Sequence, residues 1–144
     1  MIANIPIKIL PIEDDGYHLM LTAEINGKKA NLIIDTGASR TVFDESLIMH
    51  FLPHEYNEFE ANEKLSTGLG TNTMQSSAFT LKSLKLGTLK IENYLAVILD
   101  LTNINESYSK LNLPLIHGVI GGDLLQKYKA VIYYKNRILK LYYA

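Results

Sequence analysis

The sequence predicts a mainly β protein, a closed or folded-over barrel with one or two short helices, and three observations predict it. Short apolar or alternating runs recur along the whole chain. Turn signals separate them at Asn26-Gly27, Gly87-Thr88 and Lys135-Asn136. No regular strand–helix–strand alternation of the kind that builds a parallel sheet is present. At 144 residues, residues 1–144 have the size of one ordinary domain, and a hydrophobic fraction of 47% is enough to build a core.

The elements follow in order. Tyr17, Leu19, Leu21, Ala23 and Ile25 alternate with more polar neighbours, as a half-buried strand requires. Asn26-Gly27 is the strongest short hairpin signal, and the second arm, from Ala30 to Ile34, delivers the chain to Asp35. "DESLIMHFL" reads as a helix capped by Asp44, with Leu47, Ile48 and Phe51 on one face and Pro53 ending it. Residues 54–64 give no firm state. "LSTGLGTNTMQSS" (65–77) is rich in glycine and small hydroxyl residues. "AFTLKSLKL", Gly87-Thr88 and "LKIENYLAVILDL" make a strand, a turn and a returning strand. "TNINESYSKLNLP" reads as a loop ending at Pro114, and the chain closes as a strand, a glycine pivot, a short helix and a hairpin.

Composition excludes several classes of function. Fourteen basic residues against fifteen acidic ones leave a net charge of −1, so no field draws in nucleic acid or an anionic membrane. Cysteine is absent, which removes disulfide frameworks and thiolate zinc sites. No apolar run approaches the roughly 20 residues of a membrane-spanning helix. "MIANIPIKILPIEDD" has no basic n-region, apolar block or cleavage site, so a soluble, cytoplasmic protein is expected.

The chemistry centres on "LIIDTGASRTVFD", residues 32–44. By itself Asp35-Thr36-Gly37 reads as a plain turn, in which the aspartate accepts local N–H groups and the glycine supplies positive φ. The flanks argue against a sheet-edge turn. Leu32, Ile33 and Ile34 precede it, and Ala38, Val42 and Phe43 follow, so the carboxylate is expected in the interior or in a cleft. Val119-Ile120-Gly121-Gly122 is a second apolar pair ending in small residues, in the other half of the chain. Alone, it reads as a buried strand ending before a helix that Asp123 starts.

Together the two segments resemble the retropepsin-type aspartic proteases, the family of retroviral proteases and their cellular relatives. Ile33-Ile34-Asp35-Thr36-Gly37-Ala38-Ser39 matches the family's signature of two apolar residues followed by Asp-Thr/Ser-Gly. Val119-Ile120-Gly121 with the helix "DLLQKY" matches its second motif. The resemblance covers nearly the whole chain and implies one lobe of the acid-protease fold, a retropepsin-like closed β barrel. It implies that Asp35 is catalytic, that Thr36, Gly37, Ala38 and Ser39 support its loop, and that Val119, Ile120 and Gly121 form the floor of the site. It also implies a substrate-binding flap around Gly68, Leu69 and Gly70. In retroviral proteases an acidic residue stands at the position of Ser39 and an arginine at that of Gly122. That ion pair is missing here. Arg40 and Asp123 could form one with the signs exchanged, or both could be solvated charges.

Peptide hydrolysis by this chemistry needs two carboxylates sharing one proton, and no metal or cofactor. No other acidic residue of the chain begins an Asp-Thr/Ser-Gly motif: Asp44, Asp100 and Asp123 are each followed by other residues. The second carboxylate is therefore expected from a second copy of the chain, in a homodimer with two-fold symmetry. The termini, "IPIKIL" and "ILKLYYA", are candidates for an intersubunit sheet. The expected partner besides that copy is a peptide or protein substrate. The alternative is a retropepsin-fold module that binds peptides or dimerises without cleaving. Rival motifs fail: Gly37-Ala38-Ser39-Arg40-Thr41 lacks the last glycine of a nucleophile elbow, and Gly68-Leu69-Gly70 lacks the third glycine of a dinucleotide loop. His50 and His54 are separated by Pro53, which disfavours a metal site, and His117 reads as a surface or packing residue.

Overall fold

A computed structural model describes residues 1–52, 60–61 and 77–144. The fold is mainly β, as the sequence predicts. Among the described residues ten strands run in chain order: β1 (Ile2–Pro11), β2 (Tyr17–Ile25), β3 (Lys28–Ile34), β4 (Val42–Asp44), β5 (Glu60–Ala61), β6 (Ser77–Leu86), β7 (Leu89–Leu99), β8 (Gly118–Ile120), β9 (Val131–Tyr133) and β10 (Ile138–Tyr142). Three short α-helices join them: α1 (Glu45–Ile48), which continues as a 3₁₀ turn over Met49–Phe51, α2 (Thr102–Lys110) and α3 (Gly122–Lys127). The sheet order β2-β6-β7-β4-β8-β3, with β3 also paired to β2, closes a six-stranded ring. From β2 the sheet continues outward through β1 and β10 to β9.

The predicted turns set the register. Ile25 pairs with Lys28, leaving Asn26 and Gly27 with φ of 51° and 84°, the paired positive values of a tight hairpin turn. Leu86 pairs with Leu89 across Gly87-Thr88. Lys135-Asn136 lies at the centre of the turn between β9 and β10, where Tyr133 pairs with Ile138. Asp44 caps α1, its Oδ2 accepting the Leu47 N–H at 3.0 Å. Pro6 sits where β1 changes partner: it faces Ile138 of β10, and the next residue, Ile7, faces Leu21 of β2. Proline cannot donate to a ladder, so this switch is a place where it fits.

Two hydrophobic clusters lie on opposite faces of the central strands. The barrel interior holds Leu21, Ile25, Leu32, Ile34, Phe43, Ile98 and Ile120. The second cluster holds Met20, Ile33, Val97, Leu99, Tyr108, Ile116 and Val119. Successive residues of β3, β7 and β8 therefore enter different cores. This accounts for the continuous apolar runs "LII", "AVIL" and "GVI", which are the pattern of strands covered on both faces. Each fully buried aliphatic side chain contributes about 2 kcal/mol from area burial.

The structure corrects two readings of the chain. Residues 102–110 form α2 instead of a loop. Asparagine, serine and threonine have weak helix propensity, but Ile104 and Tyr108, one turn apart, both pack on the second cluster. The segment is also pinned by Asn105, whose side chain donates to the Ile116 carbonyl and accepts the Ile116 N–H. The terminal strands, expected to pair between subunits, pair with each other inside the chain, Ile2 facing Tyr142 and Ile5 facing Leu139. The pattern of β1 suits this, since Ala3, Ile5 and Ile7 on one face bury into the barrel core while Ile2, Asn4 and Pro6 on the other stay exposed.

The insertion of β8 between β3 and β4 leaves no room for side chains at its first residue. A Cβ on Gly118 would lie 2.6 Å from the Val42 carbonyl oxygen and 2.9 Å from Phe43 Cδ1. Gly118→Ala is expected to destabilise the fold by about 2–3 kcal/mol through forced backbone movement, read as a lowered midpoint in urea with an unchanged slope. An unchanged midpoint would show that β8 does not sit between these strands.

Candidate active site

The two sequence motifs are register partners. Parallel β3 and β8 set Ile33 opposite Val119 and Ile34 opposite Ile120, and β4 crosses the other edge of β8 with Val42 facing Val119. The chain between β3 and β4 must therefore loop around the end of β8, and Asp35 begins that loop. Its N–H donates to the Ile120 carbonyl at 2.9 Å. Its carbonyl accepts the Ala38 N–H at 3.1 Å, and Oδ1 accepts the Gly37 N–H at 2.9 Å. Oδ2 meets no donor among the described residues. Asp35, Thr36 and Gly37 are all exposed on the single chain, not interior.

A clip at the start of α3 holds the far side of the loop. Gly122 N–H donates to the Ala38 carbonyl at 2.7 Å and Asp123 N–H to the Ser39 carbonyl at 3.1 Å. The Asp123 carboxylate then accepts three hydrogen bonds: Thr41 N–H at 2.8 Å and Thr41 Oγ1–H at 2.7 Å on Oδ1, and Tyr94 O–H at 3.1 Å on Oδ2. The Thr41 hydroxyl, fully buried, accepts the Gly121 N–H at 3.0 Å. Burial, with the Asp123 carboxylate beside it, pushes the Tyr94 phenol well above its ordinary range, so it remains a donor. The anticipated ion pair is not formed. No ion pair within 4 Å joins the Arg40 guanidinium to Asp123, whose oxygens accept from Thr41 and Tyr94. Gly121 is where the loop and β8 come closest: a Cβ there would lie 2.5 Å from the Arg40 carbonyl oxygen and 2.8 Å from that of Ala38.

Asp35 and Thr36 line a cleft of about 310 Å³ whose walls include Ile33, Val119, His18, Ile104 and Tyr108. On the other side of Thr36 lies a more open concavity of about 450 Å³, reached by Gly122, Leu125, Lys129 and Ile132. Of the residues singled out in the sequence, the structure brings Asp35, Thr36, Gly37, Ala38, Ser39, Val119, Ile120 and Gly121 to one crossing. Gly68, Leu69 and Gly70 lie outside the described residues. Three contributors were not legible from sequence: Thr41, Tyr94 and the His18–Tyr108 wall, each joined across long stretches of chain. Among the described residues, no three His, Asp or Glu side chains converge as metal ligands.

A closed barrel threaded by a glycine segment beside an Asp-Thr-Gly loop is the one-lobe acid-protease architecture. The chain belongs to the aspartyl protease family, whose model matches residues 21–124. Two solved structures share the retropepsin-like fold. The first is a retropepsin-like aspartic protease from Rickettsia conorii, with a TM-score of 0.56 at 17% identity over 98% of this chain and 90% of that one. The second is the retroviral protease-like domain of Ddi1 from Leishmania major, with a TM-score of 0.57 at 12% identity over 86% and 87%. Comparison with curated proteins returns no match.

His117 joins the crossing from behind. Its Nδ1 accepts the Asn31 N–H at 2.9 Å, its N–H donates to the Asn31 carbonyl, and its carbonyl accepts the Asp44 N–H. Burial lowers the His117 pKa below the ordinary imidazole value, and the acceptor role of Nδ1 is open only to the neutral ring. The unfolded chain therefore takes up a proton near the ordinary value while the native chain resists it. The stability His117 supports is complete above pH about 6.5 and is lost as pH falls through its lowered native pKa. Denaturant midpoints from pH 7.5 down to 4.5 should fall less steeply for His117→Asn, whose side-chain oxygen can still accept from Asn31. Parallel curves for the two proteins would refute this.

Proposed function

We propose that the protein is an aspartic endopeptidase that works as a homodimer, with Asp35 of each subunit supplying one of the two carboxylates. The observation that carries this reading is the state of Asp35. It is exposed at the edge of a cleft, one oxygen is fixed by Gly37 and the other is uncommitted. The sequence carries one Asp-Thr-Gly motif, and a two-fold axis near Asp35 would bring in its equivalent. Family membership and the retropepsin-like neighbours support the protease chemistry.

In the proposed dimer the two carboxylates cannot both ionise at close range and share one proton. The ionised member takes a proton from a water held between them, and that water attacks the peptide carbonyl. The protonated member donates to the developing oxyanion. No covalent enzyme intermediate forms. Gly37, without a Cβ, lets an extended substrate backbone approach. For the interface, the termini are already paired within the chain. Among the described strands, β9 ends the sheet beyond the termini, and Val131, Tyr133 and the following Tyr134 are exposed there, next to the concavity that includes Thr36. We assign the subunit contact to that edge.

Asp35→Asn tests the mechanism. It should lower cleavage of a mixed peptide library at pH 4 to 7 by about 10³-fold or more, while sedimentation across a concentration series shows the same folded dimer as the parent. Undiminished cleavage would overturn the catalytic role of Asp35. A parent protein that stays monomeric with saturating statine-type inhibitor would overturn the dimer. Binding of that inhibitor without any cleavage by the parent would assign the chain instead to a non-cleaving peptide-binding module.

A further inference from the structure

We propose that His18 and Tyr108 form a specificity subsite beside Asp35 that selects a hydroxyl-bearing aromatic side chain, tyrosine over phenylalanine, in the bound peptide. This rests on the reading of the Asp35 cleft as a peptide-cleaving site. His18 Nδ1 and the Tyr108 hydroxyl are 2.6 Å apart, and the two rings stack with centroids 5.9 Å apart. Both rings line the same cleft as Asp35.

The direction of that hydrogen bond follows from burial. Tyr108 is only 4% exposed, and its hydroxyl has no other partner among the described residues. A buried hydroxyl proton needs an acceptor, and His18 Nδ1 is the one within reach. Burial pushes the Tyr108 pKa up to about 12, so the phenol keeps that proton throughout the range in which an aspartic dyad works. A neutral His18 that accepts at Nδ1 carries its own proton on Nε2. His18 is itself exposed, so the cleft presents a fixed N–H donor at its wall.

The rest of the cleft suits a ring. Ile33, Ile104 and Val119 give it apolar walls, and Tyr17, 57% exposed, places an uncovered aromatic ring at its rim. A substrate carboxylate that could use the His18 donor would share the cleft with Asp35 and be repelled by it. An uncharged ring with an acceptor oxygen satisfies the donor without that cost. The wall is rigid, because α2 is clipped to β8's approach by the reciprocal Asn105–Ile116 hydrogen bonds.

The test uses a positional-scanning peptide set in which tyrosine and phenylalanine alternate at each position of one fixed frame, competed in a single mixture. The parent should prefer tyrosine at one position by about 10-fold in kcat/KM, the yield of one good hydrogen bond. His18→Phe keeps a ring and removes the N–H, and should bring the ratio at that position to about 1. A general loss of structure would lower both rates and leave the ratio unchanged. No tyrosine preference in a cleaving parent, or a preference that survives in His18→Phe, would overturn the subsite and leave the protease reading standing. Calorimetric binding of the same peptides to Asp35→Asn separates the two ideas. Tyrosine preference in binding, absent any cleavage by the parent, would support the subsite while the protease reading fails. No binding, together with no cleavage by the parent, would overturn both.

Discussion

The structure depends on one constraint: a three-residue strand, β8, must pass between β3 and β4 and hydrogen-bond to both. Everything near the candidate site follows from that threading. The chain leaving β3 has to turn around the end of β8, which places Asp35 at the tip of the crossing and ties its N–H to Ile120. Close approach of the loop to Gly121 and of β4 to Gly118 removes the Cβ atoms that would keep the segments apart. The parallel pairing buries both faces of β3 and β8, so one set of aliphatic residues fills the barrel and the next set holds α2 against it. The Asp35 loop, barrel core and cleft wall are therefore mechanically one piece.

Much of this was legible in the sequence because it is encoded locally. Asn26-Gly27 and Gly87-Thr88 specify turns by their own φ preferences, and the apolar pairs before Asp35 and Gly121 mark the two strands that meet. What could not be read arises from partners far apart in the chain. α2 is written in weak helix formers, and its stability comes from Ile104, Tyr108 and Asn105 finding distant neighbours. The termini are alternating apolar strands, a pattern that states which face is buried but not whose edge is paired. Arg40 and Asp123 have opposite charges at plausible positions. Geometry instead gives Asp123 to Thr41, one residue further on, because its backbone N–H and hydroxyl reach the same oxygen together.

The flanks of Asp35 also change meaning in three dimensions. Leu32, Ile33 and Ile34 suggested a buried carboxylate, whose charge would be costly without a partner. The structure keeps the aliphatic residues buried and lets the chain emerge at Asp35, so the apolar run belongs to the strand that aims the group and not to the group's own surroundings. An exposed aspartate at the end of a strand covered on both faces combines precise placement with access, which a side chain on a free loop does not offer.

Three aspartates stand around the crossing, and the allocation of donors separates their roles. Asp44 is 2% exposed and accepts from Ser46 Oγ, Leu47 N and Leu101 N, which joins β4, α1 and the start of α2. Asp123 likewise accepts three hydrogen bonds, from Thr41 and Tyr94. A carboxylate engaged in this way is tied to the structure around it, and moving it would break several hydrogen bonds at once. Asp35 receives a single N–H, from Gly37, which orients the group without satisfying it. The fold spends its donors on the two aspartates that hold it together and withholds them from the third. Among the described residues, that third carboxylate is thereby the one of the three with an oxygen that meets no donor.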